Sequence, residues 1–464
     1  MPKKDSYDLI VVGAGPGGAS AAIIAAKAGL DVLLVERATV PGEKNMSGSV
    51  LFRELTESIF PGFQAASIHD TASSFASLAI KWSIDNDEKE YGVHAGVGSA
   101  VMDHQIIVDR SVADAWCAQE AVNAGAEPLY ATRVDDVIWE KPIPGGMPRV
   151  IGIVTDKGER IYGKAVADAS GLHSNLARKT GLVRYPKDKF QFAVKMIFEL
   201  PADEIRRRFG FWTGASGLPT YDWGLTPVYF GSNPDFYAAH CNAIPDENVI
   251  EVVLYSNLTE MIEADTNIWQ RMQWFLETQK HWLEGAKPIH VNFHALNTFD
   301  IVGYQFESSY LPGYVLIGDA GGFANPVESW GANVAQYQGR LFAELVAEMK
   351  ENNDWSEAAF ARYEEGWKNS FVGDDDISPM CYMFRDGTFK QLWLSLDEAV
   401  SAAVALKFTN HPYCEILPAF GPPFAPFMAK AVGLVSPLAP LVKGAEHGLA
   451  KLKDITNIVQ KIKD

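Results

Sequence analysis

Apolar residues along the chain change their spacing in a way that predicts its layout. Leu9 to Val12 and Val32 to Val35 are short unbroken apolar runs, the pattern of parallel strands covered on both faces. A helix from about Gly17 to Lys27 lies between them, which makes one βαβ unit. A third apolar strand ends in Asp168 and Gly171 and leads into a helix carrying Arg178. A fourth ends in Gly318-Asp319 and is followed by a glycine-containing loop. A long amphipathic helix then begins near Gly331. Between about residues 185 and 300 the period becomes two, in FQFAVKMIFEL, TPVYFG, FYAAHCNAI and VIEVVLYS. That alternation predicts a largely antiparallel sheet.

The first βαβ unit carries a chemical signal. Gly13, Gly15 and Gly18 fit G-x-G-x-x-G: the first permits the tight turn, the second lets a pyrophosphate approach the backbone, and the third lets helix and strand pack closely. The helix then points its N-terminal N–H groups at the phosphates. Glu36, at the end of the second strand, sits where an acid accepts hydrogen bonds from a ribose. The unit predicts a bound dinucleotide without saying which one.

Composition narrows the classes. A chain of 464 residues with 47% hydrophobic content has material for a full core and more than one domain. A formal charge of −18 argues against nucleic acid, which is bound through clustered Lys and Arg. Cys117, Cys241, Cys381 and Cys414 lack the close spacing of metal or cluster ligands, and they read as free thiols in a reducing compartment. His240, His281, His290 and His294 are scattered, so no metal is assigned. The start MPKKDSYDLI leaves no room for a signal peptide, and no apolar run is long enough for a membrane span. A cytoplasmic protein is expected.

The βαβ unit, the D-x-S-G segment at Asp168 to Gly171 and the G-D-A-G-G segment from Gly318 occur in this order. At these separations they resemble the glutathione-reductase-type FAD flavoproteins of the para-hydroxybenzoate hydroxylase branch. The resemblance implies FAD, with Asp319 on its ribityl chain and Gly331, Ala332 and Asn333 at a helix start below the flavin ring. The segment Lys44-Asn45-Met46-Ser47-Gly48 resembles the K-N-V-T-G-G segment of FixC-type flavoproteins and electron-transfer-flavoprotein:quinone oxidoreductases, cousins of the geranylgeranyl reductases. It would then lie against the flavin; read without the resemblance, it is a surface loop with Ser47 as a helix cap. Arg110 falls where these relatives have an arginine facing the FAD phosphates. The cofactor-binding set implied is Gly13, Gly15, Pro16, Gly17, Gly18, Glu36, Arg37, Lys44, Asn45, Met46, Ser47, Gly48, Arg110, Val134, Asp168, Ser170, Gly171, Gly318, Asp319, Gly331, Ala332 and Asn333.

The expected fold is α/β: a Rossmann-like FAD domain (1–74, 105–184 and 296–345), an inserted antiparallel β substrate domain (75–104 and 185–295) and a C-terminal helical region (346–464). The four cluster cysteines of the fused quinone oxidoreductases are absent, whereas FixC-type proteins lack them too. The segment Ser329-Trp330-Gly331-Ala332-Asn333 stands where relatives usually have a glycine-rich G-E-G-x-N, and Trp330 either shapes the pocket beside the flavin or is plain packing. The aromatic load of the β domain, including Phe209, Phe211, Trp212, Tyr221, Trp223, Tyr229 and Phe230, suits an apolar ligand or plain core. Asp374 to Asp376 read as a solvated turn or helix cap. The tail, with prolines, apolar runs and Lys443, Lys451, Lys453, Lys461 and Lys463, fits a peripheral membrane contact, a partner surface or a helix packed on its own domain.

The resemblance implies an FAD-dependent oxidoreductase that passes hydride or electrons to or from a lipophilic substrate such as a quinone or isoprenoid alkene. A ferredoxin or electron-transfer-flavoprotein partner is expected with it. The alternatives are an NAD(P)H-dependent flavin monooxygenase, disfavoured because Gly321-Gly322 stand where hydroxylases usually have a histidine after G-D-A, and a non-catalytic electron-relay subunit of a membrane complex. No side-chain nucleophile is required, because flavin N5 carries the chemistry.

Overall fold

The computed structural model describes residues 2–43, 48–63, 66, 78–84, 87–93, 105–140, 148–172, 175–182, 191–209, 212–213, 222–223, 228–231, 237–278, 280–296, 308–323 and 331–373. Lys44 to Ser47, Trp330, Asp374 to Asp376 and the tail lie outside them. The chain forms two compact units, one within Met1–His69, Val108–Lys187 and Asn297–Cys381, the other within Asp70–Ile107 and Asp188–Leu296.

The first unit contains β1 (Ser6–Val12), α1 (Pro16–Lys27), β2 (Val32–Val35), β3 (Gly48–Phe52), α2 (Arg53–Ile59), α3 (Arg110–Asn123), β4 (Glu127–Leu129), β5 (Val134–Trp139), β6 (Val150–Thr155), β7 (Arg160–Asp168), α4 (Asn175–Lys179), β8 (Tyr310–Leu311), β9 (Tyr314–Leu316), α5 (Gly331–Glu351) and α6 (Glu357–Lys368). Its main sheet has the order β8-β9-β7-β1-β2-β4, with β6 pairing β7 and β5 pairing β6. The pairs of β9 with β7, β7 with β1, β1 with β2 and β2 with β4 are all parallel. Leu9, Ile10, Val11, Leu33, Leu34, Ala165, Val166 and Ala167 are wholly buried, as the unbroken apolar runs require of strands covered on both faces.

Helix α1 is almost entirely alanine, glycine and isoleucine on its inward sides, which lets α5 approach at backbone distance. A Cβ built on Gly339 of α5 would lie 2.2 Å from the Gly17 carbonyl oxygen and 3.0 Å from the Ala21 nitrogen. Helix α6 then closes the unit around β8 and β9. Its Tyr363 hydroxyl donates to the Leu316 carbonyl at 2.7 Å, and its Trp367 indole N–H donates to Ser309 Oγ at 2.9 Å. Glu364 accepts from the Ser309 N–H at 2.7 Å and from both the Ser308 and Ser309 hydroxyls. Trp367 meets Phe323 edge-on with centroids 5.0 Å apart, so α6 underpins the segment that follows Gly318.

The second unit is built on a five-stranded antiparallel sheet ordered Val228–Gly231, Tyr237–Ile244, Val249–Asn257, Gln191–Glu199, Lys287–Leu296. One face supplies Val194, Phe198, Ala239, Cys241, Val252 and Leu254 to a core shared with Met272 and Phe275 of the helix Ile268–Thr278. Phe209 belongs to this core, fully buried and 4.8 Å from the Trp282 ring.

The α1–α5 crossing generates a stability prediction. Gly339→Val should lower stability by about 3 kcal/mol, because the helices must separate to admit two extra branches. Urea unfolding monitored by circular dichroism measures it; a variant as stable as the parent would contradict the crossing.

Candidate cofactor site

The carboxyl ends of four neighbouring parallel strands are stitched into one row. The Gly13 N–H donates to the Val35 carbonyl at 2.8 Å, the Ala169 N–H to Val12 at 2.9 Å, and the Ile317 N–H to Asp168 at 2.9 Å. The three glycine-bearing segments that the sequence separates by some 150 residues each thus emerge side by side. In open α/β sheets this is the edge at which ligands bind.

The glycine turn between β1 and α1 is tightly packed at every glycine except one. Gly13 has φ +98°, and a Cβ there would lie 2.4 Å from the Ala169 carbonyl oxygen. A Cβ on Gly18 would lie 1.8 Å from the Gly13 oxygen, and one on Gly17 would lie 2.6 Å from Ile317 Cγ2. At Gly15 a Cβ would meet nothing within 4 Å. Gly15 is also the N-cap of α1; no side chain caps the helix, Pro16 occupies its start, and its first turn holds no acid. Open N–H groups, a positive dipole end and an unfilled space over one glycine are what a pyrophosphate needs.

Glu36 faces this turn. Its Oε2 accepts the Ala14 N–H at 2.9 Å and its Oε1 accepts the Ala38 N–H at 2.8 Å. Each oxygen keeps lone-pair capacity for a ribose hydroxyl. The next turn of chain is laced to it: the Ala131 N–H donates to Ala38 and the Thr132 N–H to Glu36, both at 2.9 Å, with Ala131 held at φ +52°. Tyr130 stands beside Glu36, and burial followed by that carboxylate pushes its phenol above the ordinary range. Tyr130 carried no motif and escaped the sequence reading. Arg37 is exposed, and Val134 opens β5 nearly buried.

Asp168 is fully buried. Its Oδ1 accepts from the Ser170 N–H at 3.1 Å and from Ser170 Oγ at 2.6 Å, while its other oxygen accepts from the Tyr314 hydroxyl. These bonds make it the clamp of its strand end, next to Gly171, which takes φ +75° with open space where a Cβ would be. Gly318, at φ +60°, begins a tight turn to Ala320 that carries Asp319, and its N–H donates to Gln338 Oε1 at 2.8 Å.

Helix α5 starts at Gly331 and Ala332, and its first turn has no acid. Asn333 is buried and accepts the Phe52 N–H at 2.7 Å. That bond ties α5 to the end of β3, the strand that begins at Gly48. Thr56 Oγ1 donates to Gln336 Oε1 at 3.0 Å one turn further on. Lys44, Asn45, Met46 and Ser47 themselves lie outside the described residues.

Arg110, first residue of α3, forks onto Asp114 through Nε and Nη2, both at 2.8 Å. Burial would lower the guanidinium pKa, but the Asp114 carboxylate and, more weakly, that of Asp319 raise it overall. Arg110 and the G-D turn therefore lie within electrostatic reach of one another. Asp114 itself gave no signal in the sequence beyond an i,i+4 spacing. One turn on, burial and then Asp114 push the Cys117 thiol well above its ordinary value, so it stays protonated.

A sequence profile described as FAD dependent oxidoreductase matches residues 8–213. The FixC protein of Rhizobium meliloti is 27% identical over 378 residues, covering 80% of this chain and 83% of its own length. The probable electron transfer flavoprotein-quinone oxidoreductase YdiS of Escherichia coli is 26% identical over 383 residues, with the same two shares. Among solved structures, a geranylgeranyl bacteriochlorophyll reductase-like protein from Thermoplasma acidophilum superposes with TM-score 0.67 at 19% identity, covering 94% of this chain and 99% of that one. The flavin-dependent brominase Bmp2 does so with TM-score 0.61 at 19% identity, covering 86% and 92%; at such identity these structures speak for the fold alone. Fold, glycine turn and profile define an FAD-dependent oxidoreductase. Within that class the chain is similar to the FixC and YdiS proteins.

Two glycines of the turn should behave oppositely. Gly15→Ala should cost the apoprotein no more than about 1 kcal/mol, since its methyl enters open space, yet weaken FAD binding at least about tenfold. Gly13→Ala should destabilise the apoprotein itself by more than about 1 kcal/mol, through its positive φ and the Ala169 carbonyl. Apoprotein melting and flavin-fluorescence titration separate the two; equal effects of both variants on both readouts would contradict the cradle.

Proposed function

We propose that the protein passes electrons or hydride between a protein donor and a lipophilic acceptor such as a quinone or isoprenoid alkene. The observation that carries the reading is the uncapped, acid-free start of α1 below the open face of Gly15. It fits a dinucleotide with an uncovered pyrophosphate, and the likeness to FixC and YdiS supports the redox partners. Bound FAD supplies the two-electron carrier at its N5.

The chain supplies placement. The α1 N-terminus and Arg110 would hold the pyrophosphate, Glu36 the adenosine ribose, and Asp319 the ribityl chain. The first turn of α5 would place a positive dipole end against the ring edge that becomes negative on reduction. The segment Lys44 to Gly48 would approach the ring, its downstream strand fixed by the Phe52–Asn333 bond.

A ferredoxin-like or electron-transfer-flavoprotein donor fits this reading, as does a cytoplasmic protein with peripheral contact to the inner membrane face. Among the described residues no helix is long and apolar enough to cross a membrane. The division of labour we infer is an FAD-binding first unit and a substrate-binding second unit.

Anaerobic photoreduction of the purified FAD-loaded protein, followed by mixing with decylubiquinone or with air, tests the proposal. Reoxidation should be fast with the quinone and slow with air. Rapid reoxidation by air alone would favour a monooxygenase and contradict it.

A further inference from the structure

We infer that Asp114 is a positioning residue: it aims the outer edge of the Arg110 guanidinium at the phosphates of FAD. The inference rests on the FAD reading of the first unit and goes beyond it, since neither motif nor likeness points to Asp114.

A guanidinium has five N–H donors in one plane. The Asp114 fork engages Nε and Nη2 at 2.8 Å each, which leaves the Nη1 pair and the second Nη2 proton on the opposite edge. The two partners are not equally accessible. The Asp114 side chain is 4% exposed and that of Arg110 19%, so the carboxylate is the more deeply buried partner.

The support behind Asp114 is rigid. Asp109 caps α3 by accepting from the Ser111 N–H at 2.6 Å and the Ser111 hydroxyl at 2.7 Å, which fixes the helix start. Gly42, at φ +84°, lies flush on the same turn: a Cβ there would sit 2.7 Å from the Ser111 carbonyl oxygen and 3.0 Å from Asp114 Cβ. Only glycine lets the chain leading to Lys44 cross that close. The guanidinium also lies within electrostatic reach of Asp319, the carboxylate of the G-D turn.

A stability role alone accounts poorly for the pair. An i,i+4 ion pair on a helix surface contributes little, and a carboxylate withdrawn from water is costly to keep. Pre-organising a fork whose free edge meets an anion gives that cost a return, because a long flexible side chain then loses no further rotamer freedom on binding.

Charge and position predict opposite outcomes. If only charge mattered, removing the Asp114 carboxylate would leave Arg110 uncompensated and tighten binding of an anionic cofactor. If Asp114 positions Arg110, its loss weakens binding, and only while Arg110 is present.

The test measures the FAD dissociation constant by flavin-fluorescence titration of the apoprotein for the parent, Asp114→Asn, Arg110→Met and the double variant. Asp114→Asn should raise it about tenfold and Arg110→Met by more. The double variant should match Arg110→Met within a factor of about two, since Asp114 acts through Arg110. Asp114→Glu should recover part of the loss. An unchanged or tighter constant for Asp114→Asn, or multiplying effects in the double variant, would overturn the inference. Should Asp114→Asn fail to fold, Arg110→Lys decides: it keeps the charge but lacks the fork, so binding as tight as the parent's would also overturn it. A parent protein that takes up no FAD would instead defeat the cofactor assignment, and this inference with it.

Discussion

The absence of room for a single carbon atom organises the first unit. At Gly17, Gly18 and Gly339 any Cβ would strike a neighbouring backbone or a buried side chain, so α1 can lie against both its own sheet and α5 at main-chain distance. That contact draws residues from the two ends of a long chain into one layer. Because α5 rests on α1, its Gln338 reaches the Gly318 N–H and its Asn333 reaches the Phe52 N–H. The G-D turn, the β3 terminus and the glycine turn are therefore held relative to one another by a single helix pair. Close packing transmits any misfit at this crossing to every part of the cradle.

The cradle works by combining what the backbone leaves unsatisfied with a few side chains. Helix α1 offers unpaired N–H groups that no side chain caps, and Glu36 is oriented by two backbone N–H groups. Asp168, by contrast, spends its acceptors on Ser170 and Tyr314, so its contribution is to hold the strand end in place. Residues around the site thus divide into those with hydrogen-bonding capacity left for a ligand and those that fix the frame. In the reading proposed above, Arg110 and Asp114 join both roles in one ion pair. Helix α6 supports the frame from below through Tyr363, Glu364 and Trp367.

Much of this was legible in the sequence where the determining forces are local. The apolar runs Leu9 to Val12 and Val32 to Val35, the glycine spacing and the acid at Glu36 fall within one βαβ unit, and the structure has β1, α1 and β2 over those residues. The period-two segments likewise appear as Gln191–Glu199, Val228–Gly231, Tyr237–Ile244 and Val249–Asn257, since alternation follows directly from one face meeting a core. What was not legible depends on partners distant in the chain. Nothing local says that Asn333 will bind the Phe52 N–H, that Tyr130 will stand beside Glu36, or that the Arg110–Asp114 pair will lie within electrostatic reach of Asp319. The placement of α6 against β8 and β9 was also hidden, because an amphipathic pattern reports that a helix is covered and not by what.

The central claim is that this frame binds a whole FAD and not a flavin alone, since most of the architecture is built for its adenosine diphosphate half. Equilibrium dialysis of the apoprotein against FAD and, separately, against FMN tests it most directly. The account predicts one FAD retained per chain after extensive washing, with FMN washed away. A protein that retains neither, or holds both equally well, would contradict it.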